Sequence, residues 1–430
     1  MKLLFISQYF PPETGAGATR ADSLRRYLTD LGWEIDVLCE LPNYPSGVID
    51  QKYAGHWYHR TETKSGSITR TWVIPSKREN FLQQIGMFGS FMISSMLYGI
   101  MNPGRYDAVY ATSPPFFGAI SGYILSCLYK VPFYFEVRDL WPDAGVETGH
   151  IDKLNILYKV SKKIERWLYK KSDLVIPVTR KSGELIRETC PSANTCVVYN
   201  GVDTEHFKPV PNALDIVDET FSKDKFRIGY AGTIGVIHDL DTVVHAAKLL
   251  EQNKDIEIII IGDGSRSMHL QELLDNHQPA NVRWLGIKDH SQIPTYLSTL
   301  DLALNPVYNT KVFGSIITVK FFEYLACEVP VLTMANGILK EVGDASGAAV
   351  TISPEDPKLL ADTILALKND PDKQARMKAR ARPFVLRYFD RRKWAAYLSD
   401  ILKQNLQDGP SKPSDSVSTQ DPISQSDYNW

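Results

Sequence analysis

Residues 226–235, FRIGYAGTIG, decide the fold class, because they place a short apolar strand directly before a glycine turn. The same order occurs near the N-terminus, where LLFIS at residues 3–7 precedes Gly15 and Gly17. Short apolar strands that alternate with amphipathic helices are typical of parallel βαβ units. The sequence therefore predicts an α/β protein with two Rossmann-like, doubly wound domains.

The remaining strands continue this pattern through both halves of the chain. In order they are EIDVLC, DAVYATS, VPFYFEV, DLVIPVT, IEIIIIGDG, VRWLG, LDLALNP, VPVLTM and GAAVTI. Residues 197–219 between the halves are rich in proline and aspartate and lack a helical period, which indicates a linker. We expect domains at 1–201 and 202–385, a C-terminal helix at 386–405 that packs on the first domain, and a disordered tail at 406–430. Ligands of such sheets bind beyond the carboxyl ends of the strands, so we expect the two domains to face each other across a cleft.

Composition argues against several classes of protein. Lys plus Arg total 48 and Asp plus Glu total 50, a net charge of -2, so no basic field favours nucleic acid as a partner. The five cysteines are scattered without a Cys-x-x-Cys pair, which favours reduced thiols over disulfides or a zinc site. The apolar run before Pro11 and Pro12 is too short for a signal peptide, and we interpret it as the first strand of a cytoplasmic protein.

One apolar segment, Phe81–Met101, carries no charge over 21 residues, about the length needed to cross a bilayer. Gln83, Ser90 and Ser94 share one helical face, which argues against a span. Three interpretations remain open: a buried domain helix, an interfacial helix that touches lipid or a lipid-linked substrate, and a true span. We expect peripheral contact with the inner membrane, which Lys77 and Arg78 just before the helix would assist.

The best candidate for a ligand site is TKVFGSIITVKFFEYLACEVP at residues 310–330, which places Lys320 and Glu323 at the start of a helix. Side chains three residues apart share one helix face, so a cation and a carboxylate here can reach a phosphate and a sugar hydroxyl together. The glycine turns at Gly17 and at Gly232–Gly235 would let the backbone approach the same ligand.

Weaker candidates follow other strands. The turn at residues 261–265, IGDGS, is either a ligand loop or only a strand-to-helix connection. The backbone near Ile287 could bind the edge of a nucleobase. Arg138, Asp139 and Asp143 follow the strand VPFYFEV, where an acceptor role competes with a plain surface ion pair between Arg138 and Asp139. His56 and His59 lack further ligands, so we predict no metal site.

Taken together, these residues resemble the family 4 retaining glycosyltransferases of the GT-B fold, and the resemblance spans nearly all of residues 1–405. The most specific marker is the stretch Tyr199-Asn200-Gly201-Val202-Asp203 with Phe207, which looks like the family's junction between domains. PPETGAGATR, the Pro42-Asn43-Tyr44-Pro45 loop and VRDLWPD look like the bacterial branch that acts in capsule, O-antigen and exopolysaccharide assembly.

The resemblance implies roles for individual residues. Glu323 matches the glutamate that holds the nucleotide ribose, whereas Ser315 stands where the family has its first motif glutamate. Lys320 matches the basic residue that meets the donor diphosphate. Thr233 and His238 stand where many members have an arginine and a lysine, so Lys320 would carry most of the diphosphate charge. The full predicted sets are Lys320, Asp139 and Glu323 for catalysis; Gly17, Gly232, Thr233, Gly235, Arg266, Ile287, Lys320 and Glu323 for the donor; and Arg138, Asp139 and Asp143 for the acceptor.

These roles imply a retaining glycosyltransferase of surface polysaccharide biosynthesis, peripheral on the cytoplasmic face of the membrane. It would move a hexose or N-acetylhexosamine from a nucleotide diphosphate sugar to a lipid-linked glycan, without a metal or other cofactor. Two alternatives stay open, a nucleotide-sugar 2-epimerase of GT-B architecture and a nucleotide-sugar-binding subunit without activity.

Overall fold

The computed structural model describes residues 1–13, 15–43, 47–76, 81–149, 152–217, 221–222 and 224–409. Contacts divide the chain into two compact units, Met1–Asn200 with the chain from Arg392 onward, and Gly201–Arg391. The division lies one residue from the expected boundary at 201. Tyr44 and Pro45 of the predicted loop, Lys77 and Arg78, and residues 410–430 of the predicted tail lie outside the described residues.

The first unit is built on a seven-stranded sheet. Its strands are β1 Lys2–Ile6, β2 Glu34–Glu40, β3 Tyr58–Thr63, β4 Gly66–Thr71, β5 Ala108–Ser113, β6 Phe133–Val137 and β7 Leu174–Pro177. They lie in the order β3-β4-β2-β1-β5-β6-β7, and every pair is parallel except the edge pair β3 and β4. Apart from this edge strand, the order is that of a Rossmann-like sheet, as the alternating pattern predicts.

Seven helices in the described part of the chain complete this unit. They are α1 Ala16–Asp30, α2 Phe81–Met101, α3 Phe117–Tyr129, α4 Asp143–Glu147, α5 Ile156–Lys171, α6 Arg180–Thr189 and the C-terminal helix, α15, Arg391–Asp408. α2 packs on β2, β4 and α3, and α3 packs on β1, β5, β6 and α5. The three helices α2, α3 and α5 are therefore neighbours along the sheet.

The C-terminal helix differs from its expected bounds. Residues 386–388 end a separate helix of the second unit, and residues 406–408, expected in the tail, continue α15. Trp394 of α15 is fully buried against Tyr199, with ring centroids 5.0 Å apart, and the Trp33 indole N–H donates to Ser399 Oγ at 2.8 Å. Burial continues along the same helix at Leu402 and Asn405, which explains why the helix runs past the point where the sequence turns polar.

The second unit is a six-stranded, fully parallel sheet in the order β10-β9-β8-β11-β12-β13. Its strands are β8 Phe226–Ala231, β9 Ile256–Ile261, β10 Val282–Trp284, β11 Leu302–Pro306, β12 Val331–Met334 and β13 Ala349–Ile352. Its helices are α7 Ala213–Ile216, α8 Leu240–Leu249, α9 Ser267–His277, α10 Ile293–Leu297, α11 Val319–Ala326, α12 Ile338–Ser346, α13 Pro357–Lys368 and α14 Pro371–Tyr388. The isoleucine-rich β9 is wholly buried, as expected for a central strand covered on both faces.

Both sheets reverse their strand order at one point, between β1 and β5 in the first unit and between β8 and β11 in the second. The crevice beyond the carboxyl ends of the strands at such a point is the usual ligand site of this architecture. Gly15 and Gly17 lie at the start of α1, the helix that follows β1, and the turn at Gly232–Gly235 follows β8. Each unit thus carries a glycine turn at its switch point.

The uncharged helix α2 turns its small polar residues inward. Ser94 and Ser95 are fully buried, and their hydroxyls bond to Trp72 O at 2.5 Å and to Ser121 Oγ at 3.1 Å. The exposed side of the helix is apolar and includes Ile93 and Leu97. Within the described residues, α2 is the one helix long and apolar enough to cross a membrane, although core helices pass the same test.

Candidate active site

Three glycine turns lie side by side at the carboxyl edge of the second sheet. The Gly232 N–H donates to Ile261 O at 2.9 Å, and the Gly262 N–H donates to Gly286 O at 2.8 Å. A Cβ atom on Gly262 would lie 2.0 Å from Gly232 O, so only glycine fits there. The turns after β8, β9 and β10 therefore form one continuous backbone surface, which we call the glycine floor.

Lys320 lies against this floor. It occupies the first turn of α11, is only 7% exposed, and points its Nζ at the Tyr230 hydroxyl, 2.5 Å away. The same Nζ lies 4.0 Å from the centroid of the Tyr230 ring and 3.1 Å from His238 Nε2. A Cβ on Gly232 would approach Lys320 Nζ to 2.8 Å, so the glycine also makes room for the cation.

The partners of Lys320 are neutral and act as acceptors. Tyr230 uses its own O–H on Thr233 O at 2.5 Å, which leaves its oxygen lone pairs for the lysine. His238 Nδ1 lies 3.3 Å from Pro306 O, and since a carbonyl can only accept, the proton belongs on Nδ1 and Nε2 accepts from Lys320. Burial and the lysine charge hold the pKa of His238 well below its usual value. Burial lowers the pKa of Lys320 to about 7, although Glu323 opposes the shift.

Glu323 lies one turn further along α11. Burial raises the pKa of its carboxyl to about 7, and the charges of Arg391 and Lys320 counteract part of that shift. Arg391 itself is buried and donates to Gly201 O at 3.1 Å. Lys320 and Glu323 are therefore two ionisable groups on one helix whose neutral forms burial favours, as is common in active sites.

Arg266 is the second cation at this edge. Its Nη1 donates to the Tyr308 hydroxyl at 3.2 Å, and its Nη2 lies 3.5 Å from Asp241 Oδ1. Tyr308 follows β11, the strand whose Pro306 carbonyl meets His238, so Arg266 and Lys320 border the same switch point. Ser315, in the position of the family's first motif glutamate, is fully buried and donates to Val312 O at 2.7 Å.

The structure also places the remaining donor candidates of this unit at the glycine floor. Thr233 is exposed, its carbonyl accepts from the Tyr230 hydroxyl, and Gly235 follows in the same turn. Ile287 is 70% exposed after Gly286, beyond the end of β10. Thr233, Gly235 and Ile287 thus lie on the side of the sheet edge that a ligand could approach.

In the first unit, Gly17 and Arg138 are in contact although 121 positions separate them in the sequence. A Cβ on Gly17 would lie 3.0 Å from Arg138 Nη1. Arg138 Nε donates to Thr112 Oγ1 and Ser113 O, both at 3.0 Å, at the end of β5. Arg138 is therefore fixed at the first switch point by groups at the end of β5. Its hydrogen bonds are not those of a plain surface ion pair with Asp139.

The two aspartates of this segment have different surroundings. Burial raises the pKa of the half-buried Asp139, against the charge of Arg138. Asp143 accepts from the Tyr158 hydroxyl at 2.7 Å and from Lys162 Nζ at 2.9 Å, so both of its carboxylate oxygens anchor α4 to α5. The structure thus brings Gly17 and Arg138 together but directs Asp143 toward a structural contact.

Comparison with known families agrees with the two units. The profile of Glycosyltransferase Family 4 matches residues 17–206, and that of Glycosyl transferases group 1 matches residues 213–384. The chain belongs to the family 4 glycosyltransferases of the GT-B fold. The sequence motifs predicted this family, and the match is confirmed on both sides of the junction.

Individual relatives are distant from this glycosyltransferase. The probable glycosyltransferase WbjE of Pseudomonas aeruginosa is 22% identical over 297 residues, 67% of this chain and 73% of that protein. The putative teichuronic acid biosynthesis glycosyltransferase TuaH of Bacillus subtilis is 26% identical over 220 residues, 49% of this chain and about half, 52%, of its own length. Among solved structures, HepE of Anabaena in complex with UDP-glucose has a TM-score of 0.70 at 17% identity and covers 94% of this chain and 100% of its own, which shows the fold.

Sequence reasoning missed the residues that hold Lys320 in place. The sequence identifies Tyr230 only as the residue before a glycine turn, and His238 only as the substitute for a family lysine. Neither has a short-range signal, because they lie 90 and 82 positions from Lys320. Within the described residues, no group of three or more His, Cys, Asp or Glu side chains is arranged to hold a metal ion.

Proposed function

We propose that this glycosyltransferase moves a hexose or N-acetylhexosamine from a nucleotide diphosphate sugar to a lipid-linked glycan, with retention at the anomeric carbon and without a metal ion. The observation that carries the proposal is Lys320, a buried lysine whose hydrogen-bond partners are the neutral Tyr230 and His238. A buried cation with neutral partners is suited to an anionic ligand, because the ligand supplies the missing opposite charge.

The chemistry follows from where charge develops. Glycosyl transfer passes through an oxocarbenium-like transition state while negative charge grows on the departing phosphate. A cation fixed before the reaction stabilises that charge without reorganisation, so Lys320 would act on the leaving diphosphate. Arg266 would assist it, and the backbone of Thr233–Gly235 would line the phosphates. Glu323, on the same helix, would accept from the ribose hydroxyls.

Retention would arise without a nucleophile from the enzyme, the departing phosphate taking the proton of the acceptor hydroxyl. Asp139, whose pKa burial raises, is our candidate for orienting that acceptor, and Arg138 for binding its anionic group. A lipid-linked acceptor in surface polysaccharide assembly would place the enzyme on the cytoplasmic face of the inner membrane. The exposed apolar side of α2 supports that placement.

The test begins with a thermal-shift screen of nucleotide sugars, in which a ligand at a hundred times its dissociation constant adds roughly 2.7 kcal/mol. The stabilising donor is then incubated with and without lipid-linked acceptors. Nucleotide release only with acceptor supports the transferase. Conversion of the donor alone would identify a 2-epimerase, and binding without turnover a non-catalytic subunit. Proton NMR of the product should show the anomeric configuration of the donor, and EDTA should leave activity intact.

A further inference from the structure

The exposed apolar side chains of the protein are concentrated in one region. The described residues include 23 exposed large hydrophobic side chains, and eleven of them lie between Ile93 and Trp167. These eleven belong to α2, to α3, and to α5 with the turn before it. Single exposed apolar residues are common on protein surfaces, but a concentration on neighbouring helices marks an interaction surface.

Helix α5 is the centre of this region. Its inner face, with Ser161, Leu168 and Tyr169, is buried. A second apolar stripe runs along its outer face, where Val160 and Trp167 are 44% and 37% exposed. Their spacing of seven positions keeps both on one side of the helix. A helix that already contacts the core therefore presents a second apolar face to its surroundings.

The outer faces of the three helices join into one surface. The ring of Trp167 on α5 contacts Tyr123 on α3, with centroids 4.8 Å apart. One turn further along α3, Cys127 and Leu128 are exposed, and α3 packs along α2, which exposes Leu97 and Met101. We call this surface, formed by the outer sides of α2, α3 and α5, the three-helix face.

The charge of α5 identifies the occupant of the three-helix face. The helix has six basic residues and one acidic residue, and the acidic one, Glu165, is buried and bonded to Tyr169 and Lys162. Lys163 and Lys170 are exposed beside Val160 and Trp167. Docking with a second copy of this chain would bring like charges together, whereas an anionic lipid surface offers both an apolar interior and opposite charge.

We propose that the three-helix face docks the enzyme on an anionic lipid surface, with α5 as the main contact. The inference deepens the membrane placement proposed above, and it relocates the contact from α2 alone to a surface whose cations lie on α5. The apolar side chains would enter the boundary between headgroups and acyl chains, while the lysines meet the lipid phosphates.

The experiment is flotation of the full-length protein with vesicles of phosphatidylglycerol and phosphatidylcholine, compared with phosphatidylcholine alone. We expect the wild type to float with the anionic vesicles and to be released by salt. Lys163→Gln with Lys170→Gln should weaken vesicle partitioning about thirtyfold, from roughly 1 kcal/mol for each cation near the surface. Val160→Gln with Trp167→Gln should weaken it at every salt concentration.

Matched variants in the second unit serve as controls. Lys373→Gln with Arg376→Gln removes two exposed charges from α14, and Leu249→Gln with Leu359→Gln removes two exposed apolar side chains. These controls should bind vesicles like the wild type, and the charge variants should retain the melting temperature within about 2 °C, since surface substitutions change little. Val160→Gln with Trp167→Gln also loses the contact between Trp167 and Tyr123, so its vesicle binding is compared at a temperature at which its melting curve shows it to be folded.

Three results would overturn the proposal: wild-type protein that stays unbound at low salt, α5 variants that float normally, or controls that lose as much binding as the α5 variants. A concentration-dependent dimer that Val160→Gln with Trp167→Gln abolishes, without vesicle binding, would assign the face to a second copy instead. Flotation requires no sugar transfer, so this proposal and the proposed reaction can fail separately.

Discussion

Each unit buries a cation near the switch point of its sheet, and the two cations differ in whether their hydrogen-bond partners carry a compensating charge. Arg20, on α1 of the first unit, is 3% exposed and donates from Nε and Nη2 to Glu136 Oε1 at 3.2 and 2.9 Å. Its Nη1 donates to Asn200 O at 3.3 Å. Lys320 of the second unit is as deeply buried, but its hydrogen bonds go to a phenol and an imidazole.

The pKa shifts express the same difference. Burial opposes ionisation of Glu136, yet the charges of Arg20 and Arg138 hold its pKa below the usual value. The pKa of Lys320 instead falls to about 7 because burial dominates. Removal of one partner from a compensated buried pair is costly, whereas a buried charge whose hydrogen-bond partners are neutral carries more of its burial cost until an opposite charge binds. The comparison thus separates Arg20, whose charge a carboxylate compensates, from Lys320, for which we propose that a ligand supplies the opposite charge.

The largest expected effect concerns the compensated cation. Arg20→Met should destabilise the first unit by about 3–5 kcal/mol, because it removes the ion-pair partner of the buried Glu136 carboxylate, which keeps only the hydrogen bond from Thr112 and the charge of Arg138. Adding Glu136→Leu should recover most of this loss, since an apolar pair needs no compensation. Calorimetric unfolding of the full chain measures both variants. Equal stability of Arg20→Met and the wild type would break the distinction between the two cations.

Lys320→Met should leave the protein folded but reduce turnover by about a hundredfold or more, the usual effect of removing one preorganised charge contact. Lys340→Met, at an exposed lysine on α12 that pairs with Asp344, provides the matched control and should keep full activity. Steady-state rates with the donor found by thermal shift check this prediction. Normal turnover of Lys320→Met would remove the lysine from the active site.

The neighbours of Lys320 should have smaller effects. Tyr230→Phe and His238→Leu each remove one acceptor from the ammonium, which favours the neutral amine, and each should weaken nucleotide diphosphate binding about tenfold near neutral pH. Affinity for the nucleotide diphosphate should begin to decline at a lower pH than in the wild type, a change that loss of packing alone would not cause. His238→Gln keeps an acceptor and should recover most of the affinity. Calorimetric titration across pH provides the measurement.

The smallest expected effect is on stability, and it has opposite pH dependence for the two groups on α11. The pKa of Lys320 is about 7 in the folded protein, below its usual 10.5, so the unfolded chain binds more protons between these values. The destabilisation caused by burying the lysine charge is therefore greatest below pH 7. The pKa of Glu323 is about 7 in the folded protein, above its usual 4.5, so the destabilisation caused by burying its carboxylate charge is greatest above pH 7.

Lys320→Met should therefore raise the melting temperature most at pH 6 and least near pH 10, and Glu323→Gln should raise it above pH 7 but not at pH 4. The loss of hydrogen bonds in each variant offsets part of the gain in stability. Each kcal/mol of net gain should raise the melting temperature by about 2–4 °C. Melting curves across pH check both variants. If the melting temperatures of the two variants changed with pH in the same direction, burial would not be the cause of the two pKa shifts.

Much of the fold and part of the site followed from local sequence. The apolar strands, the glycine turns after β1 and β8, and the spacing of Lys320 and Glu323 are short-range patterns, and the structure places each where the pattern predicts. The predicted bounds of α15 were wrong, because the start of the helix and its burial as far as Asn405 depend on packing that the local sequence does not specify. Asp143 was predicted as an acceptor ligand from its neighbours, but its contacts with Tyr158 and Lys162 come from α5.

The sequence by itself determined the two βαβ halves, their glycine turns and the family, because the periods of strands and helices and the φ freedom of glycine are properties of neighbouring residues. Only the tertiary structure decided which charges are compensated and which apolar faces are covered. Arg20 and Glu136 are 116 positions apart, and Lys320 and Tyr230 are 90 apart. The apolar side chains of Val160 and Trp167 on α5, for example, remain exposed in the fold. Burial depends on what packs on a surface, and that is fixed only when distant segments meet.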